Sequence, residues 1–362
     1  MKKRNLYHLF FVILTFFYTN ISMFGDWNPQ VYNAVKWTAP NQDQDTISYL
    51  IHTGITRVPI AYSGGVDCNE SGEITSQNIK KFTHWAKEHM PQDYCGPVVL
   101  DYEKPWWNEL SAQTILPDRL QEILSVYTNG VQVAREIFPN AQWGYWGVPL
   151  LRNTGKGWSD QGLSVNSLTS QCTALYPDVY DSNTEGDSSR LAEKHITKAL
   201  ELAGGQIPVY VFMCPRFTGQ GGDHSLFIPH DKFLKQANAA LKAVWLDTNG
   251  VQHRIQGLIL WDSFGFTNES EWGDLDLKHK YYFQLLNALV KAWAKEMVET
   301  KVETCLSSST FCQYGLPEPL NSASELGNKN QKPHVGKQTE VRPELEHDRV
   351  KSGRVRDNRV RD

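Results

Sequence analysis

The sequence predicts an α/β fold, a (β/α) TIM-like barrel with about seven parallel strands. Short apolar or aromatic runs alternate with longer amphipathic stretches, which is the rhythm of repeated βα units around a parallel sheet. At 362 residues the chain is long enough for one large barrel. No Gly-rich phosphate loop follows the first run, which disfavours an open, doubly wound sheet.

The runs lie near Val31–Val35, Thr56–Tyr62, Pro97–Glu103, Gln142–Val148, Asp178–Asp181, Ile207–Met213 and Gln256–Trp261. Between them, Ser76–His89 and Ser189–Leu202 carry apolar residues at helical spacing, and Lys278–Met297 does so after the last run. From about Lys301, Ser, Pro, Glu, Asn and Lys replace the large apolar residues, and the chain ends in a near-repeat, Arg354-Val355-Arg356-Asp357 and Arg359-Val360-Arg361-Asp362. Residues 301–362 are therefore expected to form a polar, disordered tail, and residues 26–300 the barrel domain.

At the N-terminus, Lys2, Lys3 and Arg4 precede an apolar run from Leu9 to Tyr18 and then polar Thr19 and Asn20. This is the layout of a secretory signal, assigned to residues 1–25, and the run is too short to span a bilayer. The expectation is an exported chain with no stable membrane insertion once the signal is removed. Six cysteines in such a chain permit up to three disulfides; Cys305 and Cys312, which flank a Ser-rich turn, are the expected pair. No CxxC pair or Cys/His cluster points to a metal, and no cofactor is expected. The net charge of −4, with no basic block before the tail, gives neither a nucleic-acid footprint nor a membrane-surface patch.

The 12 Trp, 15 Tyr and 15 Phe fit two descriptions, sugar-stacking faces or large core side chains, and position must decide between them. The chemistry concentrates in Gly96-Pro97-Val98-Val99-Leu100-Asp101-Tyr102-Glu103, an apolar strand ending in two acids at i and i+2. Period-two geometry places both carboxyls on one face, and at the C-terminal end of a barrel strand that face is the mouth, where active sites gather. Burial beside a second carboxyl raises a carboxyl pKa, so Glu103 can hold a proton for a leaving oxygen. Asp-x-Glu also arises by chance, and Trp106 and Trp107 after it can either wall a sugar site or cap the mouth by packing.

The segment GPVVLDYEKPWW (Gly96–Trp107) resembles the acid-bearing strand of the animal and venom hyaluronidases, where an Asp-aromatic-Glu triplet follows a similar run. Four further segments are similar in the family's order: VAREIFPNAQWGYWGVP, TALYPDVYDSN, IPVYVFMCPRF and GLILWDSFGF. The resemblance spans roughly Val31 to Trp272 and implies a divergent member. It implies a β/α barrel, with Glu103 as acid/base and Asp101 orienting a substrate N-acetyl group whose oxygen is the nucleophile. Substrate-binding roles fall on Tyr180, Trp261 and Tyr62. The partner so implied is a glycosaminoglycan-like polysaccharide, cut by a retaining endo-N-acetylhexosaminidase. The pattern departs from the family at Lys104-Pro105-Trp106-Trp107, where an Arg is usual, at Leu151-Arg152-Asn153, and at Trp37 and Thr38, where a cysteine is usual. Two alternatives stay open: a barrel that binds glycan without turnover, and a hydrolase of a different polysaccharide.

Overall fold

A computed structural model of the protein describes residues 27–36, 44–110, 112, 114–149, 163–182, 188–218 and 226–308. Its strands are short and, apart from one antiparallel pair, parallel. β1 (Gln30–Asn33) is followed by α1 (Gln44–Thr53) and by β2 (Thr56–Arg57) and β3 (Ile60–Ala61), two pieces of the second predicted run. The break between them falls at Val58-Pro59, where Pro59 has no N–H for a ladder. After α2 (Ser76–His89) come β4 (Pro97–Leu100), α3 (Trp107–Leu110), α4 (Pro117–Ile137), β5 (Gln142–Tyr145), α5 (Asn166–Thr169) and α6 (Ser189–Ala203). The chain continues through β6 (Tyr210–Met213), α7 (His230–Lys242), β7 (Trp245–Leu246), β8 (Gln252–His253), β9 (Gly257–Leu260) and α8 (Trp272–Ser308).

Parallel pairing joins β2 to β1, β1 to β9, β9 to β6, and β3 to β4 to β5. The fifth predicted run is displaced: its pairing consists of isolated bridges, Trp146 to Tyr176, Leu175 to Val209 and Asp178 to Phe212. Pro177 interrupts any continuous ladder there, and the residues after Asp178 run on toward the mouth without regular pairing. Six of the seven predicted segments thus have parallel partners on both sides, while in the fifth only Asp178 is bridged, to Phe212. The antiparallel pair β7–β8 is an addition that the sequence did not reveal, closed by Asp247, whose carboxylate accepts from the N–H groups of Asn249 (2.8 Å) and Val251 (2.9 Å).

β4, β6 and β9 are buried at every position, as expected for strands covered on both faces. Alternation sorts their side chains. Val98, Leu100, Val211, Met213, Leu258 and Leu260 pack outward against the helices, while Val99, Phe212 and Ile259 join Ala34, Val58, Tyr176 and Tyr210 inside the sheet. The floor of this interior is tied by tyrosine: the Tyr210 hydroxyl donates to Gln142 Oε1 (2.6 Å), and Tyr176 Oη accepts from the Val98 N–H (3.0 Å). Gly144 permits the close approach of the fifth segment, since a Cβ there would lie 2.2 Å from the Ala174 carbonyl.

The helices supply the outer layer. α2 begins with a capping box between Thr75 and Asn78, and α6 ends on Gly204 at φ 59°. α4 buries Leu120, Ile123, Leu124, Tyr127, Val131 and Ala134, one face at helical spacing. No described helix is long and apolar enough to cross a membrane. The four described cysteines with resolved side chains, Cys68, Cys95, Cys172 and Cys214, are unpaired, so the expectation of up to three disulfides is not met among them. The expected signal over residues 1–25, the tail beyond residue 308, and Cys312 of the expected pair lie outside the described residues, as do Trp37, Thr38 and residues 151–153.

Candidate active site

The alternation that builds the interior also builds the site. Carried past the last strand residue, the inward set of each segment becomes Lys36, Tyr62, Asp101 and Glu103, Trp146, Asp178 and Tyr180, Cys214 and Arg216, and Trp261. All but Lys36 line one cleft of about 470 Å³ at the C-terminal end of the strands. The five residues named from sequence, Asp101, Glu103, Tyr62, Tyr180 and Trp261, therefore come together in a single cavity.

The acid-bearing triplet is held rigidly. Asp101 N–H donates to the Ala61 carbonyl (2.9 Å), and the Asp101 carbonyl accepts from Gly64 N–H (3.0 Å), so the ladder extends through it. Tyr102 points the other way, stacked on Tyr127 at 4.9 Å between ring centroids, with its hydroxyl donating to Asp67 Oδ2 (2.6 Å). The Tyr127 hydroxyl donates in turn to the Tyr102 carbonyl. Asp101 and Glu103 are thereby presented to the cleft from a locked backbone.

Trp106 and Trp107 divide the two readings that the sequence left open. Trp107 lines the cleft, 5.0 Å from Trp146 between centroids. Trp106 turns back, donating from Nε1 to the Tyr102 hydroxyl (3.1 Å) under the Arg119 guanidinium, and so supports the triplet from behind. The aromatic wall continues from Trp146 to Tyr180 (5.8 Å), from Tyr180 to Trp261 (5.9 Å, 20° between planes) and from Trp261 to Phe266 (5.9 Å). Trp261 Nε1 donates to the Tyr62 hydroxyl at 3.3 Å, which fixes both rings.

Burial is the first cause of every shifted titration in the cleft. It pushes the Asp101 carboxyl up to about 7, Glu103 adding to the rise and Lys36 opposing it. Burial raises Glu103 as well, against the pull of Lys104. Asp101 Oδ1 is buried without a hydrogen-bond partner among the described residues, which explains why its ionised form is the costly one. The Glu103 charge is therefore part of what keeps Asp101 protonated, while burial is the larger cause at both acids. Burial pushes Tyr62 up to about 12 and raises Tyr180 well above the ordinary tyrosine value, so both stay neutral.

Sequence reasoning did not single out Trp146, Asp178, Arg216, Phe266 or Lys36. Four of them lie on the inward alternation of segments that it did identify, so that alternation was the available signal. Arg216 is 3% exposed and donates from Nε to Asp262 Oδ2 (2.8 Å), which also meets His279 Nε2 at 2.7 Å. This buried network anchors the segment that carries Trp261.

No protein-family model matches the chain, and no curated protein sequence matches it. Solved structures do. Bee venom hyaluronidase is similar at 14% identity over 73% of this chain and 100% of its own, with a TM-score of 0.52. The same enzyme in complex with a hyaluronic acid tetramer is similar at 13% identity over 74% and 99%, with a TM-score of 0.50. A GH18 chitinase from Pseudoalteromonas aurantia also matches, at 13% identity over 71% and 94% and a TM-score of 0.38. At 13–14% identity the likeness to the bee venom structures shows the fold alone: the chain is built as a β/α barrel.

Proposed function

We propose that the protein is an exported endo-N-acetylhexosaminidase, hydrolysing a polysaccharide that contains N-acetylhexosamine by a retaining, substrate-assisted route. The observation that carries this reading is the pair Asp101 and Glu103, both raised in pKa by burial, opening on a cleft walled by Trp107, Trp146, Tyr180 and Trp261. Flat rings suit the C–H faces of pyranoses, and a carboxyl that keeps its proton near neutral pH suits departure of a glycosidic oxygen. The likeness to a barrel solved with a hyaluronic acid tetramer supports a polysaccharide ligand.

In this reading a sugar stacks on the wall with its N-acetyl group toward Asp101 and Tyr180. The acetamido N–H approaches Asp101, which draws the pair's proton to Glu103. Glu103 donates that proton to the leaving oxygen as the acetamido oxygen attacks the anomeric carbon. The C–O bond to the leaving chain breaks, and an oxazolinium ring forms, its positive charge facing Asp101. Water, deprotonated by Glu103, then opens the ring with overall retention. No second carboxylate at nucleophile spacing is required, because the substrate supplies the nucleophile. Lys36, 4.3 Å above the Tyr62 ring, opposes the rise at Asp101.

The reading is tested by measuring reducing ends released from a panel of polysaccharides with and without N-acetylhexosamine, using the wild-type chain and Glu103→Gln. Release is expected only from the N-acetylated polymers, with a loss of about 10²–10⁴-fold in Glu103→Gln, because the amide keeps the shape and cannot deliver the proton. A folded Glu103→Gln protein of near wild-type turnover removes Glu103 from the mechanism. Binding of the same polymers without turnover by the wild type leaves a glycan-binding barrel. A barrel that only binds gains nothing from burying two acids side by side, which speaks against that outcome.

A further inference from the structure

The cleft is acidic as well as aromatic. Three carboxyls line it, Asp101 and Glu103 from the β4 segment and Asp178 from the fifth segment, and Arg216 is the one cation among the described lining residues. Arg216 is already committed. Its guanidinium is 3% exposed, donates from Nε to Asp262 Oδ2 at 2.8 Å and lies 4.8 Å over the Phe227 ring, so its charge is matched by a fully buried acid. Lys36 does not line the cleft; its ammonium sits 4.3 Å over the Tyr62 ring. The remaining described lining side chains are uncharged, chiefly rings and aliphatic groups.

The chain that builds the cleft has the same sign. Residues 26–300 hold 22 Lys and Arg against 31 Asp and Glu, a net charge of −9, and the basic surplus of the sequence lies in residues 1–25 and 301–362. The summed field of the barrel therefore opposes the approach of a polyanion. Within the cleft, walls of low dielectric screen charge less than water does, so its carboxyls repel a carboxylate or sulfate more strongly at contact range. Proton transfer accounts for Asp101 and Glu103. It does not call for Asp178, whose Oδ2 accepts from the Tyr180 N–H at 3.3 Å and which adds a third acid to the wall.

We infer that the polymer accepted by this cleft carries no carboxylate or sulfate: it is an uncharged N-acetylhexosamine polysaccharide, stacked on Trp107, Trp146, Tyr180 and Trp261. The inference rests on the function proposed above, and it departs from the glycosaminoglycan-like polymer that the resemblance implies. Pyranose rings of either kind stack on flat aromatics, so the wall alone does not choose between them. Charge does. An alternating uronic acid polymer brings a carboxylate on every second sugar to a cleft whose cation is taken up by Asp262, and like charges set against each other reject a partner.

Three hexasaccharides separate charge from shape: an N-acetylglucosamine hexamer, an alternating N-acetylglucosamine–glucuronic acid hexamer, and the latter with its carboxyls reduced to primary alcohols. Stopped-flow quenching of tryptophan fluorescence in the wild-type full chain reads binding before any bond is cut. At about 0.05 M salt the two uncharged hexamers are expected to bind at least about tenfold more tightly than the charged one, and about 0.5 M salt should narrow the gap by screening the repulsion. Asp178→Asn should raise the affinity for the charged hexamer relative to its reduced form, a ratio in which a general loss of packing cancels. Charged and reduced hexamers that bind equally, or charged binding that is tighter and weakens as salt rises, overturn the inference and leave the proposed glycosidase standing. Uncharged hexamers that bind tightly and are never cut sink the proposed function, while the charge preference holds for a barrel that only binds. Binding of none of the three sinks both.

Discussion

Asp101 is maintained at an energetic cost, and that cost has a sign that can be measured. Its folded pKa, about 7, lies above the ordinary carboxylate value, so the native state keeps a proton that the unfolded chain has already lost. The contribution to stability is full below the ordinary value, about pH 4, and is lost as pH rises through about 7. Asp101→Asn removes the ionisation. The variant should match the wild type near pH 4 and exceed it at pH 8 by on the order of 2–4 kcal/mol in urea unfolding, while losing hydrolysis. A difference independent of pH would show that the carboxyl is not held protonated. At this scale the sequence was legible wherever alternation could be counted from a clear strand. Asp101, Glu103 and Trp261 follow such runs directly. Trp106 and Trp107 could not be separated, because the chain leaves strand geometry after Glu103 and adjacent residues no longer take opposite faces. Arg216 stayed hidden because its partners, Asp262 and His279, are 46 and 63 positions away, the second through Asp262.

Among the elements, the loop between β3 and α2 holds the site more than any helix does. Asp67 satisfies donors from Tyr102, Ser71 and Gly72, and its removal leaves the Tyr102 hydroxyl and Gly72 N–H without their acceptor. Asp67→Ala is expected to destabilise the protein by about 1–3 kcal/mol, and Asp67→Asn, which keeps an acceptor oxygen, by less. Thermal unfolding of both variants checks the order; equal losses would mean that the site needs the charge rather than the hydrogen bonds. No local pattern announces this loop, since its defining bond joins residues 35 apart. Helices were easier. Ser76–His89 was bounded correctly because a Thr cap precedes an apolar stripe, and Ser189–Ala203 exceeds its expected end by one residue. The fifth strand shifted toward the N-terminus because Pro177 and tertiary pairing, rather than apolar content, decide where it ladders. β7 and β8 escaped because two-residue strands carry no periodicity.

The whole molecule places a polar-mouthed cleft at one end of a parallel sheet, with aromatic and aliphatic filling below it. The fold class was readable because each βα repeat carries the same signal, so displacement of one strand leaves the count intact. The C-terminal limit was less so: α8 runs to Ser308, past the composition change near Lys301, since Lys, Val and Glu continue a helix as readily as they enter a tail. A chain ending after Ser308 is expected to keep its melting temperature and hydrolysis, because the remaining residues are polar and have little apolar surface to bury. A fall of many degrees would show that they brace the barrel. The central claim is that a carboxyl pair and the substrate's own acetamido group perform the cleavage. Proton NMR of the first-formed product from an N-acetylhexosamine polymer tests it most directly: retention of anomeric configuration is the predicted result, and inversion, or a trapped glycosyl ester on the protein, would contradict it.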